Sequence, residues 1–455
     1  MPTRRQFLAS AALAAQPAQR PNILFLLADD QRWDTLGCMG NKLIKTPHID
    51  KLAARGTIFD NCFVTTSICA TSRASIFTGQ YARTHGVNNF SDTFKPGRFE
   101  LTYPQLMKAS GYRIGFIGKY GVGDKMPSTA FDFWKGFPGQ GKYFPQGEPG
   151  PHLTDIMGDQ AIEFLNGPAN QPWCLSISFK AGHVQDEDPR QFLPSPKTAN
   201  LYEGVKFPEP KTMDPRYIAK LPPSVQRSEN RRRYAVRFGT PALYQESVRN
   251  YYRLLSEIDM QVGRMVEHLT RTNQINNTVI VYSGDNGFYL GEHGLAGKWF
   301  LHEESVRVPL IVIDPRTRGG IRRQETVLNI DIAPTLLNAA GLSAAPGTQG
   351  RNLLPLTRGE KPANWRTEFF YEHLLPNAWI PRTEGIRTND WMYCRFLDEN
   401  PIFEELYNLK RDPLEENNLA SDTAHRTQLD TMRGKWRRWV EHLEAYDPAT
   451  PFREV

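Results

Sequence analysis

Cysteine is scarce in this chain: there are five in 455 residues, Cys38, Cys62, Cys69, Cys174 and Cys394. An odd, sparse set without a C-x-x-C spacing excludes a disulfide framework and a thiolate zinc site, and leaves at least one thiol over. Long apolar runs are also lacking, and no stretch approaches the ~18 apolar residues of a membrane span. Charge of one sign is not concentrated either. The 55 Lys and Arg against 49 Asp and Glu give a net +6 that is spread along the chain, which excludes a dedicated nucleic-acid surface and leaves an anionic substrate open. No internal repeat or low-complexity tract is present. With 40% hydrophobic and 23% charged residues, the composition is that of an ordinary globular protein, and the length suits two or three domains or one large α/β domain with an appendage.

What is present begins with an export layout. MPTRRQFLASAALAAQPAQR pairs Arg4 and Arg5, runs apolar from Phe7 to Ala15, and offers Ala12 and Ala14 for cleavage. Residues 1–19 therefore read as a twin-arginine-like signal peptide, and the mature protein is expected outside the bacterial cytoplasm, in the periplasm or beyond.

After the signal, short apolar runs end abruptly in polar residues. Ile23 to Ala28 stops at Asp29 and Asp30, and Val279 to Tyr282 is followed by Asp285 and Asn286; YRIGFIGKYG, WCLSISFKAGH and Val308 to Ile313 behave alike. Such runs are the mark of strands buried on both faces. Helical spacing fills the intervals, as in HIDKLAARG, LTYPQLMKASG and ALYQESVRNYYRLLSEIDMQVGRMVEHL. Repeated alternation predicts an α/β domain, a mostly parallel central sheet with helices on both faces. Residues 185–240 break the rhythm; rich in Pro and charge, including Arg231 to Arg233, they are expected to form a long surface excursion near the active edge. From about residue 361 the pattern becomes that of antiparallel strands, turns and a final helix from roughly Thr423 to Tyr446. The expected division is thus a catalytic domain over 20–360 and a C-terminal α+β subdomain over 361–455.

Ligands in such sheets bind beyond the carboxyl ends of the strands. Asp29, Asp30, Lys119, His183, Asp285 and Asn286 all fall at that edge. Four of them, Asp29, Asp30, Asp285 and Asn286, are hard oxygen donors from two strand ends, which suits Ca2+ or Mg2+ rather than zinc. At the same time SICATSRASIFTGQ places Cys69 four residues before Arg73, where the chain enters a helix.

These segments together resemble the type I sulfatases of the alkaline phosphatase-like superfamily over essentially the whole mature length. The resemblance is carried by NILFLLADDQ, the C-x-x-x-R block in CATSRASIFTGQYARTHGV, GFIGKYG, SFKAGH, YSGDNGFYLGEHGLAGKW, VRVPLIV, DIAPTLLNAAG and ELYNLKRDP, in the family's order. It implies that Cys69 is oxidised to formylglycine (3-oxoalanine) by a formylglycine-generating enzyme. The hydrated aldehyde then attacks sulfur with one hydroxyl and expels sulfate through the other. It further implies that Asp29, Asp30, Asp285, Asn286 and modified Cys69 surround a divalent ion, Ca2+ ahead of Mg2+. Arg73 would hold the hydrated aldehyde, Lys119 and Lys298 would clamp sulfate oxygens, and His183 would assist the leaving alcohol.

Two positions depart from the family pattern. Thr71 stands where Pro or Ala is usual, and Gly121 in GKYGVG stands where the family has a histidine. The expected substrate is a sulfate monoester, with Arg231 to Arg233 and the aromatic segment Trp379 to Trp391 suited to a sulfated sugar. A phosphonate or phosphate monoester hydrolase of the same superfamily, and a sulfated-glycan-binding homologue that has lost turnover, stay open as alternatives. No nucleic acid and no membrane span enter any of these readings, and the oligomeric state is left open.

Overall fold

The computed structural model describes residues 20–168 and 170–455, so the expected signal over residues 1–19 lies outside the described residues. The runs read as strands are strands: β1 (Asn22–Ala28), β3 (Arg113–Lys119), β5 (Trp173–Ser178), β6 (Thr278–Gly284) and β9 (Arg307–Ile313). With β2 (Thr57–Phe63), β4 (Phe133–Phe137), β10 (Ile321–Arg323) and β11 (Val327–Leu328) they form a nine-stranded sheet ordered β10-β2-β9-β6-β1-β5-β3-β4, with β11 also on β2. Every pairing is parallel except those of β9, which runs antiparallel to both β2 and β6. A hairpin of two short strands, β7 (Tyr289–Leu290) and β8 (Ala296–Gly297), stands apart.

The central strand shows why this sheet is buried on both sides. Successive β1 residues point to opposite faces, so Ile23, Phe25 and Leu27 enter one hydrophobic core while Leu24, Leu26 and Ala28 enter the other. Helices Leu153–Leu165 and Pro241–Arg271 cover the second core; helices Cys69–Thr78, Tyr103–Ala109 and Ile332–Ala339 cover the first. The antiparallel sheet of β12 (Glu368–His373), β13 (Thr383–Thr388), β14 (Trp391–Phe396) and β15 (Phe403–Asn408) carries helix Arg426–Ala445. Its interior residues Phe369, Ile386, Met392 and Leu406 belong to the first core, and Phe369 stacks on Phe63 of β2 with ring centroids 5.1 Å apart. No helix among the described residues is long and apolar enough to cross a membrane.

Residues 185–240 correct the sequence reading. They are not an unpacked excursion: Phe192, Leu193, Phe207 and Phe238 sit in one core, and Ile218, Leu221 and Val225 in the other. The segment holds short helical turns, Pro196–Thr198, Pro215–Ile218 and Pro223–Gln226, each opened by proline at its first position, followed by the longer helix Glu229–Arg237. Proline starts such turns readily, and each buries at most two apolar side chains, too few for a periodicity to register.

Candidate active site

The carboxyl ends of β1, β3 and β6, with the loop after β5, converge on the N-terminus of helix Cys69–Thr78. β1 ends in Asp29 and Asp30, and Asp30 adopts a left-handed φ of 52°, a conformation that aspartate tolerates better than most residues. Its backbone N–H donates to Asp285 Oδ1 at 3.1 Å, while Asn286 Nδ2 donates to its side chain at 2.6 Å. Cys69 occupies the first turn of the helix, whose leading amides have no intrahelical acceptor and favour negative charge. Its Sγ lies 2.9 Å from Lys298 Nζ and 3.4 Å from Asp29 Oδ1.

Each carboxylate faces a fixed cation. Arg73, 1% exposed, donates from Nε to Asp285 at 2.9 Å, from a terminal nitrogen to Asp29 at 3.1 Å, and from the other to the Lys119 carbonyl at 2.6 Å and to Ser178 Oγ. No hydrogen bond joins it to Cys69; its guanidinium is spent on the aspartates and on the end of β3. Lys119 Nζ donates to Asp29 and to Gln140 Oε1, both at 2.6 Å, and Lys298 Nζ also donates to Asp30. His183 Nδ1 lies 2.7 Å from the Val184 carbonyl, so that nitrogen carries the proton, and Nε2 stands 3.7 Å from Asp30.

The electrostatics follow from burial against this pairing. Burial opposes charge on Asp29, but Lys119, Arg73 and Lys298 outweigh it and hold its carboxyl well below the usual range. Burial, with Asp29 beside it, pushes Asp30 up, and Asp285 rises to about 6 for the same reasons. The Cys69 thiol is pushed up to about 12 by burial and by Asp29, and burial together with Lys298 keeps the His183 ring neutral. Burial and Lys119 also lower Lys180 to about 8.

The site and fold match known proteins over most of the chain. The family model for sulfatases matches residues 21–342, and one for the C-terminal part of N-sulphoglucosamine sulphohydrolase matches residues 291–441. The chain belongs to the sulfatase family. An N-acetylglucosamine-6-O-sulfatase of Bacteroides thetaiotaomicron is 31% identical, covering 90% of this chain and 85% of its own. The human N-acetylglucosamine-6-sulfatase is 26% identical over 89% of this chain and 82% of its own. A protein solved with its substrate D-glucosamine-2-N,6-O-disulfate superposes with a TM-score of 0.83 at 27% identity, covering 95% of this chain and all of that one.

In this sulfatase several contributors to the site carry no signal in the sequence. Gln140 lies in no recognisable motif, Ser178 and Lys180 lie in SFKAGH without being singled out there, and Asn230, whose Nδ2 donates to the Lys298 carbonyl at 2.7 Å, comes from helix Glu229–Arg237. Tyr371 of β12 fixes the next residue by donating to the Trp299 carbonyl at 2.8 Å. Lys298 itself sits between Gly297 at φ 99° and Trp299 at φ 90°, a backbone path that glycine permits at its first corner. Gly121 has φ 75°, and a Cβ there would lie 2.7 Å from Arg73 Cδ, so its place abuts the arginine. His85 is tied to Ser75, and His293 stacks on His302 at 4.7 Å beside Tyr289; none of the three joins the Asp29 cluster.

The rim draws together segments far apart in sequence. Arg232 lies over the ring of Trp379 at 5.8 Å, Arg233 lies over Trp299 at 5.0 Å, and Glu229 N–H donates to the Trp379 carbonyl at 2.8 Å. Trp379 is 55% exposed, and its neighbours Leu375 and Ile380 pack on Ile68 and Trp299 next to Cys69 and Lys298. Ser224, Arg227, Arg382 and Asp398 line a concavity around Trp379.

Proposed function

We propose that this sulfatase removes sulfate from a carbohydrate, a 6-O-sulfated glucosamine residue, with formylglycine made from Cys69 as nucleophile. The observation that carries the reading is Lys298 Nζ at 2.9 Å from Cys69 Sγ, at a helix N-terminus lined by Asp29 and Asp30. A thiol pushed up to about 12 remains protonated at neutral pH and is a poor nucleophile, which favours an oxygen nucleophile at this position. Lys298 then supports the ionised hydroxyl where Sγ stands, and with Lys119 it offsets the sulfate's negative charge. The helix amides add to that attraction. Arg73 acts at one remove, holding Asp29 and Asp285 in place.

The donor set fits a hard divalent cation. Asn286 Oδ1 is buried without a partner, and ligand-type atoms of Asp29, Asp30, Cys69 and His183 lie within 4.8 Å of one another. Asp29, Asp30, Asp285 and Asn286 would hold Ca2+ in preference to Mg2+, which supplies Lewis acidity toward a sulfate oxygen when bound. Once the incoming sulfate offsets the lysines that keep its ring neutral, His183 is placed to carry a second proton on Nε2 and give it to the departing sugar oxygen, which leaves as the hydroxyl.

The sugar reading is supported by the names of the relatives and by the Trp379–Arg232 rim, where a ring face and cations meet as a sulfated sugar requires. In this reading residues 20–360 supply the chemistry, residues 361–455 supply the rim through Trp379, a formylglycine-generating enzyme matures Cys69, and the twin-arginine signal exports the folded product. The test is sulfate release from oligosaccharides ending in N-acetylglucosamine 6-sulfate, run beside an aryl sulfate and a phenylphosphonate. Mass spectrometry of the Cys69 peptide accompanies it, where conversion lowers the mass by ~18 Da. Sulfate release with a converted peptide is expected; glycan binding without release from a converted enzyme would overturn the assignment.

A further inference from the structure

The hairpin that delivers Lys298 turns at a second buried cluster, which the sulfate-ester site does not use. His293 lies in the turn between β7 and β8, Glu304 on helix Glu303–Val306, and Glu415 on the segment after β15. All three are buried, at 2%, 4% and 2% exposure, and one ligand-type atom from each lies within 4.8 Å of the others. His293 Nε2, Glu304 Oε2 and Glu415 Oε1 have no hydrogen-bond partner. From this convergence we infer that His293, Glu304 and Glu415 form a second divalent-cation site, of the zinc type, joining the Lys298 hairpin to the C-terminal sheet.

Three orphaned polar atoms in one dry place are unusual, because buried polar groups are nearly always partnered. None has a partner within hydrogen-bond reach, so a proton shared between them does not satisfy them as they stand. A central ion does: bonds of ~2.0–2.4 Å set its ligands about 3 to 5 Å apart. The donor chemistry selects the ion. One imidazole with two carboxylates and no thiolate suits zinc, whereas calcium and magnesium prefer oxygen alone.

Charge points the same way. Four carboxylates gather here, Glu292, Glu304, Glu405 and Glu415, and the buried cations beside them, Arg32 and His302, face Glu292 and Glu405. Arg32 donates to Glu292 at 2.6 Å and spends its remaining nitrogens on Asp34. His302, stacked on His293, accepts or donates at Tyr289 through Nδ1 and stands 3.5 Å from Glu405 through Nε2. Glu303 is held by Arg387 at 3.0 Å, and its backbone N–H donates to Glu415 Oε2 at 3.1 Å. Glu304 and Glu415 are left in surplus, and burial pushes both carboxyls up. One divalent cation neutralises the pair. His293 also holds a left-handed φ of 53°, which aims a non-glycine side chain inward at the cost of backbone strain.

The test strips the protein with chelator, titrates Zn2+ alone, and reads metal per chain by elemental analysis with the thermal midpoint alongside. Cys69→Ala is the parent, so that the thiol of the catalytic cluster holds no zinc, and after the chelator is removed Ca2+ is restored before the titration to occupy the oxygen ligands there. Expected are one zinc per chain and a raised midpoint, both lost in Cys69→Ala/Glu304→Gln/Glu415→Gln. No retained zinc in the parent, or equal zinc in the glutamine variant, overturns the inference. Should the glutamine variant fail to fold, His293→Asn must weaken zinc at least tenfold, and unchanged affinity overturns it equally. None of these readouts depends on sulfate release, so failure here and failure of the proposed activity are distinguishable.

Discussion

Two buried charged clusters lie at either end of one short hairpin, and they solve the same electrostatic problem differently. Around Cys69, three aspartates, Asp29, Asp30 and Asp285, face three fixed cations, Arg73, Lys119 and Lys298. Around His293, four glutamates face Arg32 and His302. The first is balanced from within the chain, so its side chains are held in place before substrate arrives, the condition for electrostatic catalysis. The second is short of positive charge, which must come from protons or an ion. Burial is equally deep in both, so only the count of cations separates a cluster ready to meet an anion from one that needs a cation.

The comparison breaks first at Cys69. Cys69→Ser keeps an oxygen at the site but no aldehyde to regenerate; steady-state sulfate release should fall by about 10³-fold or more, with one turnover surviving as a burst. Unchanged steady-state release would falsify the formylglycine assignment. Next, Lys298→Met unbalances the catalytic cluster. We expect kcat to drop by about 10²–10³-fold, together with a loss of stability of about 3–5 kcal/mol as Asp30 loses its buried partner. A variant as stable as its parent would show that Asp30 is held by Asn286 alone.

How much of this was legible beforehand depends on how locally each feature is written. β1 and β6 carry continuous apolar runs ending in polar residues, and β3 and β5 runs broken only by small Gly or Ser, so strand and edge are both legible there. β2 and β4 carry no such run: TIFDNCF sets Asp60 and Asn61, half-buried at a register shift, in its middle, and FWKGF is a five-residue edge strand partly exposed throughout. Cys69, Lys119 and Lys298 sat in motifs, so their meeting could be anticipated. Their contacts could not: Arg73 at i+4 was expected to face Cys69, whereas its guanidinium reaches Asp29, Asp285 and the end of β3. Asn230 and Gln140 reach the site only through tertiary packing, and spacing carries no trace of that. Gly121 was visible as a missing histidine, but the reason its place admits no side chain as the chain stands is Arg73, 48 residues earlier.

The cation-poor cluster should show itself in pH. The folded pKa of His302 is raised to about 9, burial being outweighed by Glu405 and Glu415, above an unfolded value of about 6.5. Its contribution is therefore fully present below about pH 6.5 and lost as pH rises through about 9, at most about 3 kcal/mol. Glu304, raised to about 7 by burial and Glu292, adds a loss of the same sign from about pH 4.5 upward. Metal-stripped protein should thus become easier to unfold in urea between pH 6 and 9, and His302→Gln should flatten the upper part of that slope. A stability profile level across the range would mean that the cluster is as well balanced as the catalytic one.

The smallest effect is expected outside both clusters, at the rim. Trp379 touches neither set of charges; its ring is exposed and backed by Arg232, and its loop is held through the Glu229 N–H. Removing a stacking ring costs about 1–1.5 kcal/mol, so Trp379→Ala should raise KM for a sulfated oligosaccharide about tenfold. An aryl sulfate, which fills only the space around Cys69 and Lys298, should be turned over as before. The split matters because the rim and the catalytic cluster share a wall, with Ile380 and Trp299 in one apolar group beside Lys298. If kcat for the aryl sulfate fell as well, Trp379 would be bracing the Lys298 backbone rather than holding sugar, and the sugar reading of the rim would have to move to Arg227 and Arg382.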